Sequence, residues 1–265
     1  MMVADNPTAL ARVRQRLRVL AALIIRETSA RFGRSWGGYI WAIAEPTGGI
    51  VLLSVAFSVI THVPPRGTSF MYFYASGFVP FMMYNSIANV TMHAIRTNRG
   101  LLTYPVVRPL DTVISRATLE MMTHFVVALI IFPSIAWYDG VRTDLNPGLL
   151  VTAFVLAFAL GTGVGTLNAV LIGFFPTWQN IWGVLTRPLF IVSGILFDFD
   201  TLPTYLRDIL WYNPVAHVIA EARYGLYGVE RGAFVSLPYA FGIAMALFLI
   251  GAFLLRQNES HLLQQ

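Results

Sequence analysis

Residues 148–174 read GLLVTAFVLAFALGTGVGTLNAVLIGF, a stretch of 27 residues without a charged side chain. Crossing about 30 Å of hydrocarbon takes about 20 helical residues, so this stretch can span a membrane as one α-helix. Five more apolar runs lie near residues 39–61, 70–92, 117–137, 178–197 and 234–255. The runs are continuous and about twice as long as a strand of a membrane β-barrel. The sequence predicts an all-α integral membrane protein with six transmembrane helices.

The composition supports a chain dissolved in lipid and excludes several kinds of site. Only 12% of the 265 residues are charged, against about 25% in soluble domains, and mean hydropathy is +0.64. The chain has no cysteine, which excludes disulfides, thiol nucleophiles and cysteine metal sites. All 18 basic residues are arginine, so a phosphate-binding loop that needs lysine is also excluded. If the protein uses ATP, another chain must bind it.

Arginine asymmetry predicts the orientation. An even number of spans puts both termini on one side, and that side carries 13 arginines against five on the other. Because cytoplasmic loops are enriched in basic residues, both termini are expected in the cytoplasm. The membrane thus accounts for the basic balance, and no nucleic-acid partner is expected.

Residues 1–35 are predicted to form a cytoplasmic tail with an amphipathic helix at the membrane surface, and residues 36–265 the transmembrane domain. Apolar residues recur at helical spacing along the tail, with arginines on the other faces. The stripe is Leu10, Val13, Leu17, Leu20 and Ile24. Such a helix suits the headgroup layer, with membrane lipids as its partner. The alternative is a plain tail whose charge only orients insertion.

The segment from His93 to Leu110 is the main candidate for docking a soluble partner. It mixes arginines with leucines and then meets Pro105 and Pro109, which predicts a short amphipathic turn followed by an extended return. The alternative is a solvated connector.

Residues 198–232, between spans five and six, predict a re-entrant hairpin. Asn213-Pro214 divides the segment into two amphipathic pieces that are too short to span. Such pieces can dip into a membrane if protein covers their free backbone groups.

Charged residues within spans are candidates for function because each needs a partner or water. Arg116, Glu120 and His124 share one helix face, which suits either a polar lining or an Arg116–Glu120 pair with His124 hydrogen-bonded inside the bundle. Glu45 directly precedes Pro46, which predicts that span one restarts there after a bend.

Glycines and aromatic residues have both structural and functional interpretations. Gly161 and Gly165 have the spacing of closely packed membrane helices, which we favour over a phosphate loop. Aromatic residues at 70–74 suggest an interfacial belt, whereas those from Trp178 to Tyr212 suit a belt or a sugar path equally. The five histidines lack metal-ligand spacing, and no enzyme constellation is present.

Motifs along nearly the whole chain resemble one family, the membrane subunits of type-2 ABC exporters for polysaccharides. The similarity is greatest to the capsular-polysaccharide permeases of Gram-negative bacteria. The motifs are Arg26-Glu27, Arg31-Phe32-Gly33, Gly38-Tyr39, Trp41-Ala42-Ile43, Glu45-Pro46, Asn98, Gly100-Leu101-Leu102, Tyr104-Pro105, Pro109, Asp111, Arg187-Pro188-Leu189, Ser193-Gly194, Trp211-Tyr212-Asn213-Pro214 and His217.

The resemblance implies a homodimer of permeases with two nucleotide-binding ATPase subunits in the bacterial inner membrane. The complex would move a lipid-linked polysaccharide from cytoplasm to periplasm. ATP and Mg would bind the ATPase, and this chain would hold no cofactor. Periplasmic export proteins are a further candidate partner.

The resemblance also implies site residues. ATPase coupling maps onto Arg96, Asn98, Arg99, Gly100, Leu101, Leu102, Tyr104, Arg26, Glu27, Arg31 and Phe32. The gate maps onto Tyr205, Trp211, Tyr212, Asn213, Pro214 and His217. A substrate path between spans one and five is assigned, chiefly from aromatic composition, to Trp41, Glu45, Trp178, Trp182, Phe190 and Phe197.

Three other functions stay open. The polymer could be an O-antigen or a teichoic acid, because those permeases share much of the pattern. The same fold could export a small molecule or lipid. The chain could also be a scaffold for polysaccharide synthesis without a transport path.

Overall fold

The computed structural model describes residues 9–32, 37–104, 106–142 and 144–259, with the side chains of residues 9–12, 30–32 and 37–39 outside the description. These ranges form an all-α architecture, as predicted. The helices are α1 (Ala9–Phe32), α2 (Gly37–Thr61), α3 (Phe70–Met92), α4 (Ala94–Thr97), α5 (Arg99–Leu102), α6 (Pro109–Tyr138), α7 (Pro147–Phe174), α8 (Trp178–Val192), α9 (Thr204–Leu210), α10 (Pro214–Tyr227) and α11 (Leu237–Gln257).

Within the described ranges, four helices are long and apolar enough to cross a bilayer. They are α2 from Ile40 to Thr61, α6, α7 and α11. The 23 residues of α3 reach about 34 Å, but α3 carries more polar side chains. The 15 residues of α8 reach only about 22 Å, because α8 ends at Val192 rather than at the predicted residue 197.

The bundle has two ends, which we name by their contents. The turn end holds α4 and α5 together with the last turn of α11. The hairpin end holds α9 and the loops that precede α3, α7 and α11. α6 runs from the turn end to the hairpin end and starts at Pro109, eight residues before the predicted span. Pro109 stands at the first helical position, and the Asp111 carboxylate accepts the Arg108 N–H at 3.1 Å.

Helices α3 and α7 form the centre of the bundle because glycines let them approach closely. A Cβ at Gly161 would lie 2.8 Å from the Tyr84 carbonyl oxygen, and one at Gly165 would lie 2.7 Å from that of Ala88. Both glycines therefore serve helix packing, as their spacing predicts. α11 packs on another face of α7, where a Cβ at Gly163 would lie 2.5 Å from the Ala244 carbonyl oxygen.

The predicted restart of span one at Glu45 is wrong. α2 is continuous from Gly37 to Thr61, with Pro46 inside it. The ring of Pro46 is buried, whereas the Glu45 side chain is exposed. Burial of the ring and packing of α2 against α3 offset the hydrogen bond that proline removes.

The tail forms the predicted helix, and part of α1 packs against protein. Leu23 and Glu27 are buried where α1 meets α6. Val13 and Leu17 of the predicted stripe are 57% and 61% exposed. The exposed half of the stripe is thus free to meet a membrane surface, and Leu10 lies outside the described side chains.

The segment between α8 and α11 contains two short helices around Asn213-Pro214, as predicted. The Asn213 side chain caps α10 by accepting the Val215 N–H at 3.0 Å. α10 ends at Gly228, which has φ +64°. Residues 215–226 are all buried against α3 and α7, so protein covers this helix.

Candidate functional site

The α4–α5 turn, residues 94–104, is two single helical turns joined at Asn98. The Asn98 N–H donates to the carbonyls of Ala94 and Ile95 at 3.1 and 3.2 Å, and the Asn98 carbonyl accepts from Leu101 at 2.9 Å. Asn98 thus ends α4 and begins α5, and it is 2% exposed. This compact turn matches the amphipathic turn predicted for the segment.

Apolar side chains fasten the turn to the bundle. Ile95 and Leu102 are buried in a small cluster with Ala169 and Val170 of α7 and Leu255 of α11. Leu101 is half-buried. The turn is therefore packed against the ends of α7 and α11.

The opposite face of the turn is open to a partner. Arg96, Arg99, Gly100 and Tyr104 are exposed, with Tyr104 at 62%. The predicted coupling residues of the turn thus divide into an exposed set and a buried set, and the buried set includes Asn98 and Leu102. The exposed set is accessible to another molecule, while the buried set packs on the bundle.

A groove of about 490 Å³ lies beside the turn and carries charges of both signs. Its charged lining residues are Arg16, Arg108, Asp111, Arg256 and Glu259. Leu102 and Tyr104 also line it, so the groove continues the exposed face of the turn. A mixed-charge groove suits a soluble protein surface better than lipid tails, because charged groups are costly in hydrocarbon.

Four polar side chains connect the turn to α1 and α6. The Arg26 guanidinium donates to Asn98 Oδ1 at 2.7 Å and to Glu27 Oε1 at 3.3 Å. Arg116 of α6 donates two bonds of 3.3 Å to the two oxygens of Glu27. We call Arg26, Glu27, Asn98 and Arg116 the coupling network. Glu27 is 8% exposed and balanced by two guanidinium groups, so removing either cation leaves a buried carboxylate undercompensated.

The network corrects the predicted pairing of Arg116 with Glu120. Arg116 turns to Glu27, while Glu120 lies 3.4 Å from His124 Nε2 and accepts a hydrogen bond from Ser86 of α3. Spacing along α6 permitted the Arg116–Glu120 pair, but the packing of α1 supplies a carboxylate at the guanidinium. The side chains of Arg31 and Phe32, predicted to take part in coupling, lie outside the described part.

His93 lies between α3 and α4, beside the network. Burial lowers the pKa of His93 below its ordinary value, and the nearby Arg96 and Arg116 lower it further. His93 is therefore neutral at neutral pH and adds no third positive charge near Arg116.

The residues predicted for the substrate path lie on separate helices. Trp41 and Glu45 are exposed on α2, with Trp41 at 70%. Trp178 Nε1 donates to Asn168 Oδ1 of α7 at 2.9 Å. Phe190 packs edge-on against Phe81 of α3, with ring centroids 5.3 Å apart.

Trp182 and Phe197 complete that set. The buried Nε1 of Trp182 has no hydrogen-bond partner within the described residues. The Phe197 carbonyl oxygen accepts from Arg223, and its ring meets Phe199 at 5.6 Å. The single chain thus carries the six residues on helices α2 and α8 and on the segment that follows α8.

The residues predicted for the gate surround a buried histidine. His217 Nδ1 accepts the Ser236 N–H at 3.2 Å, so Nε2 carries the proton and donates to the Trp211 carbonyl at 2.8 Å. The Trp211 ring stacks on Tyr239 with centroids 4.5 Å apart. These contacts join α9, α10 and α11.

The other predicted gate residues lie at the joint and on the surface. Asn213 donates to Ser193 Oγ at 3.0 Å, which links α10 to the turn after α8, and Pro214 is the first residue of α10. Tyr205 and Tyr212 are 65% and 71% exposed. The hairpin thus has a firmly packed base and an exposed aromatic edge.

Sequence reasoning missed the role of Arg223, which is 1% exposed in α10. Its guanidinium donates to the carbonyls of Phe197 and Ile195 at 2.6 and 3.0 Å and to Ser76 Oγ at 3.3 Å. It also lies 4.2 Å from the centroid of the Phe73 ring. Arg223 therefore holds the segment after α8 against α3 and α10. Its charge within an otherwise apolar helix face was the available signal.

Two ion-pair clusters at the hairpin end were also missed. Arg66, between α2 and α3, pairs with Asp198 at 2.7 Å and with Asp200. Arg231 forms two bonds to the fully buried Glu221, one of them 2.8 Å long. These pairs join segments that the sequence left unconnected.

Comparisons with known proteins show the family of this chain. The ABC-2 type transporter family model matches residues 18–227. The polysialic acid transport protein KpsM of Escherichia coli is 33% identical over 91% of this chain and 94% of its own length. Two capsule polysaccharide export inner-membrane proteins, BexB of Haemophilus influenzae and CtrC of Neisseria meningitidis serogroup A, are each 26% identical over 88% of this chain and 88% of their own length. With the family pattern and a relative of this identity covering most of its residues, the chain belongs to the ABC-2 type transporter family.

Proposed function

We propose that this chain is the permease subunit of an ATP-driven exporter that moves a lipid-linked capsular polysaccharide from the cytoplasm to the periplasm. The observation that carries the proposal is the α4–α5 turn. One face of the turn is exposed, and the other is connected to α1, α6, α7 and α11. The relatives named for polysialic acid and capsule polysaccharide support the choice of substrate. They also support an inner-membrane location.

The energy comes from a partner in this proposal. The sequence contains no lysine, and therefore none of the lysine-dependent phosphate loops that cradle ATP. Two copies of this chain bind two ATPase subunits, which hold ATP and Mg. Closure of the ATPases presses on the exposed Arg96, Arg99, Gly100 and Tyr104.

Two routes carry that movement into the bundle. Asn98 passes it through Arg26 to α1, and Glu27 passes it through Arg116 to α6. Ile95 and Leu102 pass it to α7 and α11 by packing. A shift of the turn therefore moves helices that face the membrane interior without breaking the central packing of α3 on α7.

The polymer passes between two copies, along α2 and α8. Neither helix has much cover within one chain: α8 has no buried residue, and Leu52, Val55 and Val59 of α2 are each more than half exposed. A second copy would cover these faces. Trp41 offers an exposed ring on which sugars can stack, and Trp182 offers the uncovered part of its half-buried ring.

Six spans complete the proposed architecture. α3 and α8 join the four long apolar helices, the segment after α8 extends its short path, and α9–α10 forms the gate at the outer side. The excess of arginines near the turn end supports a cytoplasmic position for both termini.

The coupling network is tested with purified permease and its ATPase in lipid nanodiscs. We expect Arg26→Gln and Glu27→Gln to retain ATPase binding while polymer transport falls at least tenfold. The double variant should lose little more than either single variant, because both act on one connection. Arg18→Gln, an exposed arginine of α1 outside the network, is the matched control. Transport at the control level in both network variants would refute this coupling path.

The substrate class is tested by deleting the gene and locating the polymer. Completed lipid-linked capsular chains retained inside the cell would support export. Lost synthesis would favour the scaffold, and unchanged surface polymer would favour a small-molecule or lipid exporter. Retention of an O-antigen or a teichoic acid in place of capsule would reassign the polymer. Restoration by the intact gene, but not by a Glu27→Gln copy, would assign the defect to this chain's transport role.

A further inference from the structure

A cleft of about 820 Å³ lies between α6 and α7 at the hairpin end. It is separate from the substrate path, since none of the six predicted path residues lines it. The two helices are consecutive, yet each packs on α3 far more than on the other, so their outer halves leave a gap. Phe125 and Phe154 close the deep end of the gap, with ring centroids 6.1 Å apart at 83°.

The walls of the cleft are apolar and open to the side. Ala128 and Phe154 are buried in its floor, whereas Leu129 and Val151 on its edges are 59% and 54% exposed. From Phe125 to the end of α6 at Tyr138 the helix rises about 20 Å, enough to cover the roughly 15 Å of hydrocarbon in one leaflet. The dimensions and chemistry therefore suit a lipid acyl chain.

The mouth of the cleft carries one positive and one negative side chain. Arg142 and Asp144 both line it and are both exposed. Within the described residues neither forms an ion pair, so both charges are available to a ligand. A phosphate and an ammonium group in one headgroup match this pair, whereas a purely anionic headgroup would meet the Asp144 carboxylate.

We infer that the α6–α7 cleft binds one zwitterionic phospholipid of the outer leaflet. An acyl chain lies against Phe125, Leu129 and Phe154, the phosphate pairs with Arg142 and the ammonium group with Asp144. Assignment to the outer leaflet rests on the orientation in the proposed function. The bound lipid fills the gap between α6 and α7 and so supports two helices that move with the coupling network.

The test is native mass spectrometry of the purified full chain in detergent with added phosphatidylethanolamine or phosphatidylglycerol. We expect one phosphatidylethanolamine retained per chain, at least threefold more than phosphatidylglycerol. Leu129→Trp fills the edge of the cleft and should lower retention at least fivefold. Val126→Trp, at a 54% exposed position of α6 outside the cleft, should leave retention unchanged.

A surface variant keeps the test decisive if Leu129→Trp misfolds. Asp144→Asn should remove the preference between the two lipids, whereas the exposed control Glu230→Gln should keep it. Equal retention of both lipids by the unmodified chain would overturn the inference, as would equal retention by Leu129→Trp and Val126→Trp. The readout needs no ATPase or polymer, so a failed export assay and an empty cleft are separate results.

Discussion

Single buried charges decide how the hairpin end is held together. Arg223 is the clearest case, because a buried guanidinium is tolerated only when its N–H groups are satisfied. Two backbone carbonyls, a hydroxyl and the face of Phe73 satisfy it here. The carbonyls belong to Ile195 and Phe197, which lie in the irregular segment after α8. Arg223 thus supplies hydrogen bonds that helix geometry would otherwise supply.

Replacing Arg223 with methionine should destabilise the protein strongly. The change leaves two buried carbonyls without donors, at about 1–3 kcal/mol each. We expect the melting temperature of the detergent-solubilised chain to fall by about 5 °C or more. Arg207→Met, at a half-buried arginine of α9, is the control and should change it little. Equal melting of the two variants would contradict the structural role of Arg223.

At the scale of elements, the close contact between α3 and α7 depends on glycines of α7, which have no side chain. A Cβ at Gly165 would lie 1.6 Å from Thr91 Oγ1 and 2.7 Å from the Ala88 carbonyl oxygen. The hydroxyl can rotate away, but the carbonyl belongs to the α3 backbone. One added methyl group must therefore push the two helices apart.

Gly165→Ala should consequently destabilise the bundle by about 1–3 kcal/mol, the usual cost of overpacking. Gly183→Ala in α8 is a matched control, because a Cβ there meets nothing within 4 Å and alanine favours helix. Thermal unfolding of both variants in one detergent measures the difference. A Gly165→Ala protein as stable as the control would show that α3 and α7 pack less closely than described.

The connection between the α2–α3 loop and the segment before α9 rests on Arg66. Its guanidinium pairs with Asp198, which is 4% exposed. Removing Arg66 leaves the buried Asp198 carboxylate without its cation, and removing Asp198 leaves Arg66 with Asp200 alone. Removing both Arg66 and Asp198 takes away both charges of the buried pair.

A double-mutant cycle measures this link. Arg66→Gln and Asp198→Asn should each destabilise the chain, and the double variant should lose less than the sum, with a coupling energy of about 0.5–3 kcal/mol. Arg66→Gln combined with Glu230→Gln, where the glutamate is exposed and not paired with Arg66, should be additive. Additivity in both cycles would contradict the pairing.

For the whole molecule, the two ends of the bundle should face opposite sides of the membrane. The chain has no cysteine, so each introduced cysteine is a unique reporter. We expect Glu230→Cys to react with a membrane-impermeant maleimide on intact spheroplasts, and Gly100→Cys to react only after permeabilisation. Both positions are exposed, which makes them comparable. Labelling of Gly100→Cys in intact spheroplasts would reverse the proposed orientation.

Helix positions were largely predictable because helix formation is local. Each backbone hydrogen bond of a helix closes within four residues. The helix at residues 148–174 and the break at Asn213-Pro214 are therefore determined by nearby residues. The same locality explains the turn predicted within the segment from His93 to Leu110 and the packing role of Gly161 and Gly165. Helix ends and bends were less predictable from sequence. α8 stops at Val192, and α2 continues through Pro46 because packing outweighs the local penalty.

The partners of charged groups depend on which distant segments of the chain pack together in the folded structure. Arg116 had Glu120 four residues away, but it binds Glu27, 89 residues distant, because α1 packs against α6. Arg66 finds Asp198, and Arg223 finds the carbonyls of Ile195 and Phe197, for the same reason. The apolar helices and the candidate docking turn could therefore be predicted from residues close together in sequence. The coupling network and the lipid-sized cleft required the tertiary structure, since electrostatic and packing contacts depend on distance in space.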